Sequence, residues 1–254
     1  MKSQINQLKS EAEANYAASR WEDSAKTYEH LVGLAQDNND LALAIDFAIA
    51  AIRSWTNLPD KASRINKLYQ VIGIIGLKKA AIGFEDLAKE DIIRKNLKQA
   101  AANYEDAADG YSYIMNFDKA KKCYEDSVGI FEKLSNEAKK DNDTEGSIHL
   151  YERTSNIYSK ISLLLERILV EKKDLDAKSR KLVTDEKDRN AALAKEAKKN
   201  IAKAHESLAT FYLKKNDSDF DSIIEKEYSN AIKILLAIGE TQEAKKIEAK
   251  KKKI

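Results

Sequence analysis

Two stretches of this chain carry the same ladder of small and aromatic residues at the same intervals, and no other feature constrains the fold as much. Within Gln99 to Leu134, Ala108 is followed twelve positions later by Ala120, four after that by Tyr124 and three after that by Ser127. Near the N-terminus, Ala12, Ser24, Tyr28 and Leu31 repeat the intervals, and each ladder has an aromatic residue at its turn, Trp21 and Phe117. The intervals suit two antiparallel helices packed face to face. A small side chain on each helix lets the backbones approach, and an aromatic one turn later fills the space beside them. Such a hairpin cannot bury its apolar face alone, so neighbouring hairpins stack and share a core. The expected fold class is all-α, built of stacked antiparallel helical hairpins.

Composition agrees. With 254 residues and 43% hydrophobic content the chain can bury a sizeable core, and one proline with eight glycines leaves few β-type turns. One domain is expected over residues 1–254, with regular hairpins over 1–140 and longer, more charged helices over 141–254 that end in a basic tail. The net charge is only +2 although 34% of residues are charged, and the signs interleave, so no nucleic-acid partner is indicated. The N-terminal residues are polar and acidic where a secretory signal needs an apolar run, so export is not expected. The apolar stretch Val71 to Leu77 is too short to span a bilayer, and membrane contact is expected to be peripheral at most. The single cysteine, Cys123, reads as a small core residue in a reducing, cytoplasmic setting.

Apolar periodicity and turn residues divide the chain as follows. A first helix covers 3–18 with Ser3 as its N-cap, and Ser19-Arg20-Trp21 forms the corner to a return helix over 22–36. Asp37-Asn38-Asn39-Asp40 punctuates the chain before an unusually apolar helix at 41–56. Pro59 marks the next corner, and Asp60 is expected to cap the helix that begins near Lys61. The run Val71 to Gly76 is read as helical, its two glycines facing another backbone. A break is expected between Gly83 and Asp91, then a helix to about Met115, another to about Lys139, and a third over 145–172. A turn is expected near Asp185 to Asn190, a loop at 215–219, and a last helix carrying Tyr228 and Ala231.

Catalytic constellations are not found. His30, His149 and His205 stand singly on helices, and none has a glutamate three residues before it as a bundle metal site would require. Gly73-Ile74-Ile75-Gly76 lacks the Lys-Ser/Thr of a phosphate loop. No metal, cofactor or enzymatic activity is expected. The terminal lysines, Lys245, Lys246, Lys250, Lys251, Lys252 and Lys253, form the only single-sign run. They would touch an acidic lipid or partner, or else form a frayed, solvated helix end.

The residues Ala108, Tyr111, Phe117, Ala120, Tyr124 and Ser127 resemble the tetratricopeptide repeat, a pair of antiparallel helices stacked into a right-handed superhelix. Within that class, the length, irregular spacing and the segment Gln99 to Leu134 are most similar to the soluble attachment proteins of the membrane-fusion machinery. The resemblance implies a protein-binding scaffold whose concave groove is lined by the first helix of each pair. The corresponding positions are Lys9, Glu13 and Tyr16 in one unit and Glu105, Asp109, Ser112 and Tyr113 in the other. It also implies an adaptor in vesicle fusion, linking bundles of helical, membrane-anchored proteins to a hexameric AAA ATPase. Family members meet that ATPase through an acidic, leucine-containing C-terminus, whereas this chain ends in lysines. Other readings of the same pattern are a phosphopeptide-binding helical scaffold of the 14-3-3 kind, a structural homo-oligomer and a helical-bundle enzyme.

Overall fold

The structure, a computed structural model, describes residues 2–215 and 218–252. Lys253 of the candidate tail and Asn216 and Asp217 of the expected loop lie outside them. All regular structure among the described residues is helical: α1 (Lys2–Ala17), α2 (Trp21–Asp37), α3 (Leu41–Trp55), α4 (Ala62–Ile93), α5 (Leu97–Tyr113), α6 (Phe117–Lys140), α7 (Thr144–Glu171), α8 (Ala177–Lys215), a short 3-10 turn (Ser218–Phe220), α9 (Asp221–Ala237) and α10 (Thr241–Lys251). The chain divides into two compact units, Met1–Gly83 and Phe84–Ile254, with the division inside α4. In the first, α1 packs on α2 and α2 on α3; in the second, each helix from α5 to α10 packs on the next.

The ladder residues lie where the helices meet. Ala12, Ser24, Leu31, Ala108, Ala120 and Ser127 are fully buried, and Tyr28 and Tyr124 nearly so. Two of the small positions reveal how close the backbones come. Ser24 Oγ donates to the carbonyl of Ala12 at 2.9 Å, and Ser127 Oγ to that of Ala101 at 2.7 Å. A bulkier side chain at either place would hold the helices apart.

A second repetition joins α2 to α3, α4 to α5 and α6 to α7. Trp55 Nε1 donates to Glu29 Oε1 at 2.6 Å, the Tyr111 hydroxyl to Glu85 Oε2 at 2.8 Å, and the Tyr158 hydroxyl to Glu132 Oε1 at 2.6 Å, each pair separated by 26 residues. The aromatic body fills the core while its polar tip finds a carboxylate at the rim.

The corners are also alike. Six connections consist of three residues, the middle one in the left-handed region: Ser19, Asn39, Lys95, Met115, Asn142 and Gly239, with φ between 56° and 80°. In each, the middle and third amides return to carbonyls of the preceding helix, as in Met115 N to Ser112 O and Asn116 N to Tyr111 O, which closes the helix end. Only one of the six uses glycine. The others carry a side chain in a conformation costing about 1–2 kcal/mol, a cost offset by the hydrogen bonds of the closed corner.

Several expected boundaries differ. The break between Gly83 and Asp91 does not occur: α4 continues to Ile93 and the corner is Arg94-Lys95-Asn96. One glycine costs a helix only about 1 kcal/mol, and the ion pairs Glu85–Lys89 and Glu90–Arg94 support the turns that follow it. Nor is there a turn at Asp185 to Asn190. α8 begins beyond a break at 172–176, where Asp176 Oδ1 accepts from Ser179 N at 2.6 Å, and its charged middle continues as helix. Val71 to Gly76 is helical, but nothing lies within 4 Å of a Cβ added at Gly73 or Gly76, so these glycines face open space rather than another backbone. Ser3 lies within α1 rather than capping it. Asp60 takes φ 57°, and Lys61 supplies the first carbonyl of α4.

The Glu85 latch gives a pH dependence. Burial opposes its charge, but the donating Lys89 ammonium and Tyr111 hydroxyl hold its carboxyl below the ordinary glutamate value. A depressed folded-state pKa contributes stability above the unfolded value and loses it as the pH falls through the folded one. Glu85→Gln is therefore less stable than the native chain at neutral pH, and the gap closes as the pH drops below about 4, as denaturant melts across pH will show.

Candidate functional site

The α5 positions implied to line a groove lie beside a second array that belongs to α6 and α7. On α6, Phe117, Tyr124 and Phe131 recur every seven residues; on α7, Arg153, Lys160 and Arg167 do the same. The helices run antiparallel, so both series stay in register. Arg153 lies 5.5 Å from the Phe131 ring centre, Lys160 5.8 Å from Tyr124 and Arg167 5.6 Å from Phe117. Each cation also reaches α5. Arg153 Nη2 donates to Glu105 Oε2 at 2.5 Å, Lys160 Nζ to Glu105 Oε1 at 2.9 Å and to Asp109 Oδ2 at 2.7 Å, and Arg167 Nη1 to Ser112 Oγ at 3.2 Å. The Tyr124 hydroxyl donates to Asp109 Oδ1.

This array shows how the α5 candidates are placed. Glu105 is buried, and Asp109 and Ser112 are half-buried; all three are engaged by α7. Burial opposes the charge of Lys160, but Asp109 and Glu105 hold its pKa above the ordinary lysine value. Burial pushes the Tyr124 hydroxyl strongly up, and the bond to Asp109 adds to the shift. Tyr113, by contrast, is 78% exposed. Arg167, which meets Ser112 beside it, is flanked on α7 by Leu163 four residues before and Val170 three after, exposed to 62% and 63%. Residues at these intervals share a helix face. Leu163 and Val170 thus supply exposed apolar area on the α7 face that carries Arg167, and exposed Tyr113 follows Ser112 on α5. Sequence reasoning missed the α7 residues; the seven-residue recurrence of Arg153, Lys160 and Arg167 was the available signal.

In the other unit, Lys9 and Glu13 are exposed and pair with each other at 3.8 Å, while Tyr16 packs edge-on against Trp21, their ring centres 4.7 Å apart. The described terminal lysines, Lys245 to Lys252, lie on α10 or at its end. α10 packs on α9 through Ala244 and Ile247. Lys250 donates to Glu206 Oε1 at 2.5 Å, Lys251 lies 3.1 Å from Glu225, and Lys252 lies 3.3 Å from Glu248. Lys245 and Lys246 point to solvent.

Of the histidines, His30 and His149 are exposed, but His205 does not stand alone. Its Nδ1 lies 2.5 Å from Oε2 of the buried Glu227 on α9. Among the described residues no cluster of three or more His, Cys, Asp or Glu is placed to share a metal ion, and no helix is long and apolar enough to cross a membrane. The chain matches no protein-family model and no curated protein.

Cys123 lies inside this packing, next to Tyr124. Burial pushes its thiol up to about 11, with Glu85 and Asp126 adding to the shift. The thiolate is the reactive form. Ellman's reagent at pH 8 will therefore leave the folded chain unlabelled and will titrate one thiol per chain once denaturant is added; rapid labelling without denaturant would contradict the burial of α6.

Proposed function

We propose that this chain is a non-catalytic scaffold that binds other proteins, with a helical or coiled-coil segment as the ligand of the α5–α7 face. The observation that carries the proposal is the contrast across that face. Its charges are tied into the fold by the α7 cations, whereas Leu163 and Val170 beside Arg167, and Tyr113 next in sequence to the Ser112 it meets, remain exposed. Tyrosine and arginine are residue types enriched in interaction hot spots, and Leu163 and Val170 add exposed apolar area on the Arg167 face of α7. An amphipathic helix offers apolar anchors at matching intervals, and a carboxylate on it would meet Arg167.

The hairpins with their recurring latches support a tetratricopeptide-like stacking within each unit, and the finer form of the proposal follows from that resemblance. The protein acts as an adaptor of the soluble-attachment-protein kind, joining helical membrane-fusion proteins to an AAA ATPase in the cytoplasm.

The test is direct binding to a reconstituted four-helix bundle of membrane-fusion proteins, and to the AAA ATPase in its presence. The native chain is compared with Tyr113→Ala/Leu163→Ala/Val170→Ala. The replaced side chains are solvent-exposed, so the variant should melt within a few degrees of the native chain. Binding that falls at least tenfold in the variant supports the face as the site. Unchanged binding removes the face from the account, and no binding by the native chain removes the fusion-adaptor form of the proposal.

A further inference from the structure

The end of α8 holds an arrangement that the scaffold reading does not use. Phe211, Tyr212 and Lys215 share the last turns of that helix, the lysine four and three residues beyond the two aromatics, and Phe220 returns from the 3-10 turn to face them. The rings of Phe211 and Tyr212 meet edge to face, with centres 5.4 Å apart at 71°; those of Tyr212 and Phe220 are 5.0 Å apart and inclined at 33°. They form walls around one point, which the Lys215 ammonium occupies. Its nitrogen lies 4.7 Å from the centre of Phe211, 5.4 Å from Tyr212 and 5.3 Å from Phe220.

Three ring faces converging on one cation form an aromatic cage, and the unmodified ammonium is a poor occupant for it. A lysine ammonium is compact and strongly hydrated, with three N–H groups that seek acceptors. Ring faces attract its charge but replace few of the hydrogen bonds it made with water. A quaternary ammonium has no N–H to satisfy, spreads its charge over methyl groups and fills the space between rings with apolar surface, which is why such cages recognise methylated amines. Phe211 is 54% exposed, so the cage opens to solvent, and Lys215, also exposed, sits on a flexible stem at the helix end, free to swing away.

We propose that Phe211, Tyr212 and Phe220 form a binding site for a quaternary ammonium group, with Lys215 as an internal occupant that the ligand displaces. The ligand chemistry is a trimethylated amine, carried by a methylated lysine of a partner protein or by a choline headgroup.

The experiment titrates the full chain with tetramethylammonium, following aromatic and methyl NMR resonances. Native protein is compared with Lys215→Ala and with Lys215→Gln, which keeps part of the stem and removes the charge. Removing the internal competitor should tighten saturable binding roughly tenfold, the scale of one cation–π contact. Adding Phe211→Ala to either variant should abolish it while helicity by circular dichroism is retained. A trimethyl-lysine peptide and phosphocholine, titrated separately, distinguish a protein ligand from a lipid one, and saturable binding of either supports the site. If both lysine variants remain helical and none of the three probes binds saturably, or if Phe211→Ala leaves binding unchanged, the proposal is overturned.

Discussion

Three cations on α7, held between the rings of α6 and the acceptors of α5, are the constraint on which the centre of the second unit depends. Arg153, Lys160 and Arg167 each face an aromatic of α6 and a polar group of α5. Each therefore fixes two helix contacts at once. Seven residues fall just short of two helical turns, so equal spacing on antiparallel helices keeps the three rungs aligned with only a slow drift. The half-buried setting makes the arrangement demanding. Glu105 is buried and acidic, and without Arg153 and Lys160 its charge would be left unpaired.

Within each unit the chain reuses a few local solutions. Small residues let backbones touch, and in at least four places a serine hydroxyl closes the gap by donating to a facing carbonyl. An aromatic on the next helix returns its polar tip to a glutamate 26 positions earlier. Three-residue corners with a left-handed middle residue reverse the chain at nearly constant geometry. None of these devices involves chemistry beyond packing and hydrogen bonding. Among the exposed apolar groups are Tyr113 on α5 and Leu163 and Val170 on α7, and the cage of Phe211, Tyr212 and Phe220 at the end of α8 opens to solvent through Phe211.

Much of the all-helical fold could be read from the chain because small and aromatic residues at helical intervals leave few other ways to bury themselves. Ala12, Ser24, Ala108 and Ala120 were legible for that reason. The breaks were harder. Glu85 to Asp91 and Asp185 to Asn190 are dense in charge, as loops are, yet charges three and four residues apart also support a helix, and the helix prevails in both. The corner at Lys95 was hidden because a left-handed lysine leaves no local mark where a glycine would. The engagement of the α5 candidates was not legible. Glu105 meets Arg153 and Lys160 across 48 and 55 residues, and no local pattern records a pairing at that distance. The cage was hidden likewise, since Phe220 joins Phe211 and Tyr212 only after the chain turns.

The measurement that tests the ladder most directly is a double-mutant cycle in denaturant unfolding with Lys160→Met, Asp109→Asn and the two combined. Residues in one hydrogen-bonded network couple by about 0.5–3 kcal/mol, whereas independent sites add within about 0.5 kcal/mol. A coupling of at least about 1 kcal/mol is the result this account predicts. Additive losses would show that Lys160 does not join α7 to α5, and the ladder would cease to explain the packing of the second unit.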